Sequence, residues 1–163
     1  MTRIDLPTAS DAEIKYFTDG NKIYWLTSDY EVKGADLSTF ELYVGWFAKD
    51  KNHCYFEGAV FKKAETETFE VLSWAFAKDK NNVYTNRGIL KDADPESFEI
   101  MGNGYELGPA GWVTPVGYGK DANNIFYYAY GTKTIKLKDV DIKTFVEINN
   151  FLEKTIILYF ITV

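Results

Sequence analysis

Several resources that proteins draw on for chemistry are nearly missing from this 163-residue chain. It has one cysteine, Cys54, so no internal disulfide can form, and a reducing compartment is compatible. It has one histidine, His53, beside that cysteine in a stretch that reads as a strand. Neighbours on a strand point to opposite faces, which excludes both a zinc site and a Cys–His nucleophile pair built from these two. Long apolar runs are absent too. The longest, TIILYFITV over 155–163, is nine residues, where about twenty are needed to span a bilayer. The N-terminal stretch MTRIDLPTASDAEIKYF has no apolar run of signal-peptide length. A cytoplasmic location is therefore expected, or a periplasmic one if a leader has been removed.

Positive charge is also short. Eighteen Lys and Arg face 24 Asp and Glu, giving a formal net charge of −6. Such a surface repels phosphate, so no nucleic-acid partner is expected. It suits a basic protein partner, because complementary fields speed encounter. Plain solubility explains mild acidity as well.

What the chain has in quantity is apolar and aromatic residues, 46% and 17% of the total. That suffices for one packed domain over 1–163. Its organisation is a repeat. An Asp, an Asn two residues later and an aromatic five residues after the Asp occur four times. The copies are Asp19–Asn21–Tyr24, Asp50–Asn52–Tyr55, Asp79–Asn81–Tyr84 and Asp121–Asn123–Phe126. Another aromatic stands three residues before each Asp: Tyr16, Phe47, Phe76 and Tyr118. Downstream, an acidic residue is followed four later by Phe: Asp36/Phe40, Glu65/Phe69, Asp94/Phe98 and Asp141/Phe145, with Thr or Ser just before each Phe.

Each unit reads as a strand, a tight turn, a return strand, a bend and a short helical turn. Aromatic-rich segments such as SWAFA (73–77) suit strands. Asp-x-Asn is turn chemistry, because short Asx side chains bond nearby backbone. In KDADPESFEI (91–100), Asp94 is the expected N-cap, Pro95 the first helical residue and Phe98 the core anchor. The expected fold is mainly β: an antiparallel meander of about four such repeats with short helical turns, a β-rich α+β arrangement being the alternative. Units fall near 14–45, 46–73, 74–102 and 116–150. The turn residues Asp19, Asp50, Asp79 and Asp121 are assigned a structural role, and Asp79→Ala is expected to cost on the order of 1 kcal/mol.

The motifs KDKNNVY (78–84), KDKNHCYF (49–56) and KDANNIFYY (120–128) resemble the DKNYY family of bacterial proteins. The resemblance covers roughly 16–148 and includes ADPESFE at 93–99. The first copy departs as TDGNKIYW (18–25), and the third has Thr85 where a second aromatic is usual. The resemblance implies a repeat domain of unassigned role and brings no catalytic residues with it.

The Asp-x-Asn turns do not read as calcium loops. Counted from Asp79, positions 5, 6 and 12 are Val83, Tyr84 and Leu90, where a calcium loop needs an oxygen ligand, Gly and an acid. From Asp50, position 12 is Phe61. GNGYELG (102–108) matches a dinucleotide fingerprint only superficially, lacking the strand–helix unit that gives it meaning. Repeated acids are explained by what repeats, which leaves Glu57 and Glu106 as non-repeating acids near aromatics. No cofactor and no metal are expected, and the chain is not expected to be an enzyme.

The period breaks once. Anchor spacings are 31, 29 and then 42 residues, and the extra material lies in GNGYELGPAGWVTPVG (102–117), with five Gly and two Pro. Long Gly/Pro insertions in compact domains are functional loops or merely mobile ones. Tyr105, Glu106 and Trp112 lie in it and are the expected partner-binding residues, unless Trp112 folds back onto the core. The expected function is a protein-binding module, in its best-motivated form an immunity or inhibitor protein that neutralises a basic bacterial toxin or effector. The alternative is a carbohydrate or cell-surface binding repeat with its rings in an exposed row. The segment 155–163 lacks polar alternation and reads as a strand covered on both faces, or as an edge that would pair with a second copy of the chain.

Overall fold

The computed structural model describes residues 2–3, 15–26, 30–108 and 111–146. The C-terminal strand expected over 155–163, and any dimer contact through it, lie outside the described residues. The chain forms a run of small antiparallel sheets, with no helix beyond single 3-10 turns among the described residues.

The first sheet holds β1 (Thr2–Arg3), β2 (Tyr16–Thr18) and β3 (Ile23–Trp25). The second has the order β4 (Glu41–Leu42), β5 (Phe47–Lys49), β6 (Cys54–Phe56) and β7 (Ala59–Val60). The third repeats it with β8 (Glu70–Val71), β9 (Ala77–Lys78), β10 (Val83–Thr85) and β11 (Gly88–Ile89). The fourth has β12 (Glu99–Met101), β14 (Val113–Lys120), β15 (Ile125–Ala129) and β16 (Ile135–Lys136) in order, while β13 (Tyr105–Leu107) pairs with the other half of β14.

The sheets stack face to face, and the alternation of side chains along each strand fills both interfaces. On β5, Phe47 faces the third sheet and Ala48 the first; on β6, Cys54 and Phe56 face the third and Tyr55 the first. Three cores result. Tyr16, Ile23, Trp25 and Val32 meet Ala48 and Tyr55. Phe47, Cys54 and Phe56 meet Phe69, Ala77 and Tyr84. Phe76, Val83, Leu90 and Phe98 meet Phe126 and Tyr128. The rings Tyr16, Phe47, Tyr55, Phe76, Tyr84 and Phe126 thus lace neighbouring units together. On the outer face of the fourth sheet, Tyr118 packs on Tyr127 and on Phe145 of the following segment.

The repeated polar residues form one network, used at each junction. Asp50, Asp79 and Asp121 are 2%, 2% and 3% exposed. Oδ1 of Asp79 accepts from the backbone N–H of Asn81 (2.8 Å) and Asn82 (2.7 Å), closing the turn. Its Oδ2 accepts from the Tyr84 hydroxyl (2.7 Å) and from the backbone N–H of Glu65 in the preceding connection (2.9 Å). Asp50 repeats this with Asn52, His53, Tyr55 and Asp36. Asp121 repeats it with Asn123, Asn124 and Asp94. The Thr or Ser before each Phe closes a second bond across the same junction: Thr39 accepts from the N–H of Lys51, Thr68 from Lys80 and Ser97 from Ala122. The first unit keeps the turn bonds and the Tyr24–Asp19 bond but is solvent-exposed there.

Two expectations change in detail. The short helical turn is a 3-10 turn only at Leu37–Thr39, capped by Asp36 through the Ser38 N–H. At 66–68, 95–97 and 142–144 it shrinks to a hydrogen-bonded turn, with Asp94 still accepting from Glu96 N–H and Phe98 still buried. The insertion over 102–117 is not a loop. It is a β-hairpin, with Tyr105 opposite Pro115, Glu106 opposite Thr114 and Leu107 opposite Val113. Gly104 lets it approach the third sheet, since a Cβ there would lie 2.5 Å from Ser73 Oγ.

Candidate functional site

The stack has two unlike ends. One carries the Asp-x-Asn turns, whose carboxylates are engaged in holding the junctions. Burial pushes the Asp79 carboxyl up, but the Tyr84 hydroxyl and the backbone N–H groups of Glu65, Asn81 and Asn82 outweigh it and hold the group below its ordinary value. Asp50 is lowered in the same way against burial. Asp19, bonded by Lys22 and Asn21 N–H and by Tyr24, is lowered to about 2. A carboxylate kept ionised and occupied in this manner is a structural anchor.

Strand register carries the bends Glu57–Gly58, Asn86–Arg87 and Tyr130–Gly131 to the opposite end. An aromatic row runs across this end, with one ring from each of the first three units and one from the β13–β14 hairpin. Trp25 lies 6.3 Å from Trp46, Trp46 6.1 Å from Trp74, and Trp74 5.9 Å from Tyr105, centroid to centroid. Tyr130 stands edge-on to Trp46 at 5.4 Å and donates its hydroxyl to Glu57 Oε1 at 2.7 Å. Arg87 Nη2 donates to the Gly131 carbonyl at 2.7 Å, tying the third sheet to the fourth.

Two kinds of local cost gather here. Trp46 and Glu57 both adopt left-handed backbone, at φ 64° and 50°. Trp46 Nε1, Asn86 Oδ1 and the Tyr128 hydroxyl are buried and have no hydrogen-bond partner among the described residues. Strained backbone and unsatisfied polar groups are retained where surrounding structure fixes them, and they concentrate at functional surfaces.

The hairpin of β13 and β14 extends beyond this same end, because Tyr130 N–H bonds the Pro115 carbonyl and the strands continue past it. Gly108 N–H donating to the Trp112 carbonyl prolongs the ladder to the hairpin's tip. Residues 106, 112 and 114 therefore share one face and 105, 107 and 113 the other. The structure brings Glu106 and Trp112 together and separates Tyr105 from them, its ring packed against Trp74. Trp112 does not fold back onto the core: it is 66% exposed, as is Leu107.

Glu57, Arg87 and Tyr130 join the site without having been assigned to it from sequence. Glu57 stood out only as a non-repeating acid. The available signal for all three was their place in bends, which unlike the Asp-x-Asn turns differ from unit to unit. His53 precedes β6, beside Asp50 and Tyr55, while Cys54 is buried between sheets, where burial pushes its thiol up to about 12.

No curated protein and no solved structure matches the chain. Among the described residues, no helix is long and apolar enough to cross a membrane. Residues 47–161, from β5 onward, match the model of the DKNYY family, and the chain belongs to that family.

Proposed function

We propose that this chain is a non-enzymatic protein-binding module, acting as an immunity or inhibitor protein that neutralises a basic toxin or effector. The observation that carries the reading is the hairpin, a non-repeating element, which presents Trp112 and Leu107 at 66% exposure beyond the aromatic end of the stack. A large ring held on a rigid ladder loses little entropy on docking, as hot-spot residues require. Glu106 shares a face with Trp112, and the net charge of −6 favours a basic partner. The repeated rings Phe47, Tyr55, Phe76, Tyr84 and Phe126 are buried, so they form no stacking platform for a sugar. That weighs toward a protein partner over the carbohydrate reading.

The test is co-expression with the products of genes adjacent to this one, scored by growth. Rescue from a toxic product by the wild-type chain, and its loss with Trp112→Ala, supports the reading. Rescue that survives Trp112→Ala and Glu106→Lys removes the hairpin from it, and the lack of any neutralised product overturns it.

A further inference from the structure

A groove of about 540 Å³ runs between the third and fourth sheets. Its walls are β11 and β16, the edge strands of those two sheets. Thr85, Leu90 and Phe126 line its depth, and Ile89 and Ile135 stand at its rim, 40% and 54% exposed. The charge is one-sided. Arg87, Lys91, Lys133 and Lys136 line it against one acid, Asp92, which pairs with Lys136 at 3.2 Å. Among the described residues, no carboxylate lies within ion-pair distance of Arg87, Lys91 or Lys133. On a chain with net charge −6, three uncompensated cations around an apolar cleft run against the overall composition.

We propose that this groove binds an extended acidic segment of a partner protein, laid along a sheet edge as an added strand. Edge strands offer outward N–H and C=O groups, which only a polypeptide in extended form can match in series. Alternation of side chains then does the sorting. Apolar residues of the segment point down to Leu90 and Phe126, and every second residue, Asp or Glu, reaches Lys91 or Lys133. The volume lies within the roughly 300–1,000 Å³ of ordinary ligand clefts, enough for a few residues of such a strand. No residue of the hairpin lines this groove, so a failure here leaves the proposed function standing, and the reverse holds too.

The experiment is selection of a random octapeptide library on the full chain and on the Lys91→Glu/Lys133→Glu variant. Both positions are exposed, and an unchanged thermal midpoint of the variant verifies its fold. Expected is enrichment of peptides that alternate acidic and apolar residues. By fluorescence anisotropy these should bind the wild type at least tenfold more tightly than the variant and weaken as salt is raised. Enrichment without acids, equal binding to the variant, or no enrichment overturns the proposal. Displacement of the selected peptide by inorganic phosphate or an oligothymidylate at comparable concentration also overturns it, in favour of a general anion site.

Discussion

Tyr84 donates its hydroxyl to Asp79 Oδ2 at 2.7 Å between the second and third sheets, and Asn82 Nδ2 stands 3.2 Å from the same hydroxyl. The fourth unit has Phe126 in place of the tyrosine, and there Asn124 Nδ2 reaches Asp121 directly, at 3.1 and 3.3 Å from its two oxygens. Asn82 and Asn124 occupy the same position of the repeat, so the amide can replace the phenol. In the second unit that position is His53, whose Nδ1 lies 4.0 Å from Asp50 Oδ1, beyond hydrogen-bond reach. Tyr55→Phe should therefore cost about 2 kcal/mol, the worth of a hydrogen bond to a charged group, and Tyr84→Phe only about 1 kcal/mol. Urea unfolding measures both. The Tyr84→Phe/Asn82→Ala pair should cost more than the sum of its single changes, and strict additivity would contradict the exchange of donors.

Asp79→Ala removes the acceptor of four bonds and leaves buried donors behind. The cost should be about 3 kcal/mol or more, well above the figure of about 1 kcal/mol for a single turn bond. The pH dependence follows from the same group. The folded-state pKa values of Asp50 and Asp79 are lowered, so the unfolded chain takes up protons first as pH falls. Their contribution is complete above about pH 5 and is lost below about pH 4, as pH falls through the folded values. Between pH 5 and pH 2 the urea midpoint of the wild type should fall, and that of Asp79→Asn should fall less steeply. Equal slopes would mean that Asp79 is not held ionised by its partners.

The repeat made much of this fold legible. Aromatics spaced around Asp-x-Asn announced hairpins, and the acid-to-Phe element announced the connection between them, because both are local in sequence. What joins them is not local. Asp79 binds Glu65, fourteen residues away, and Thr68 binds Lys80, twelve away. The sequence marks such residues as repeated without saying that they meet. The site was legible only in part, for the same reason. Trp112 and Glu106 were visible as non-repeating, but the hairpin that aligns them depends on the register of β13 on β14, which glycines and prolines at 102–117 obscured. The contact of Glu57 with Tyr130 spans 73 residues and left no local trace.

Glycines at matching left-handed φ differ in how closely they are packed. Gly45 has φ 69°, and a Cβ there would lie 2.5 Å from the Trp74 carbonyl oxygen and 2.7 Å from its Cα. Gly88 has φ 95° with nothing within 4 Å. Gly88→Ala should cost about 1 kcal/mol, the backbone penalty alone. Gly45→Ala must in addition push two sheets apart and should cost about 3 kcal/mol or more, as core overpacking does. Thermal melts of the two variants separate the effects. A Gly45→Ala protein as stable as Gly88→Ala would show that the second and third sheets are not held this closely.

Trp112→Ala should act in the opposite sense from every change above. The ring is 66% exposed, so its removal should alter stability by less than about 0.5 kcal/mol, as surface substitutions do. Partner binding should weaken at least tenfold, as loss of an interface anchor requires. Tyr55→Phe, at the buried end of the repeat, should lower stability and leave affinity unchanged while the protein remains folded. Calorimetric titration of the partner against both variants, alongside their urea midpoints, gives the two quantities independently. If Trp112→Ala lowered stability by the 3 kcal/mol expected of Asp79→Ala, the ring would belong to the core. If Tyr55→Phe weakened binding while Trp112→Ala did not, the partner would be reading the repeated end of the stack, and the hairpin would be only an elaboration of its fourth sheet.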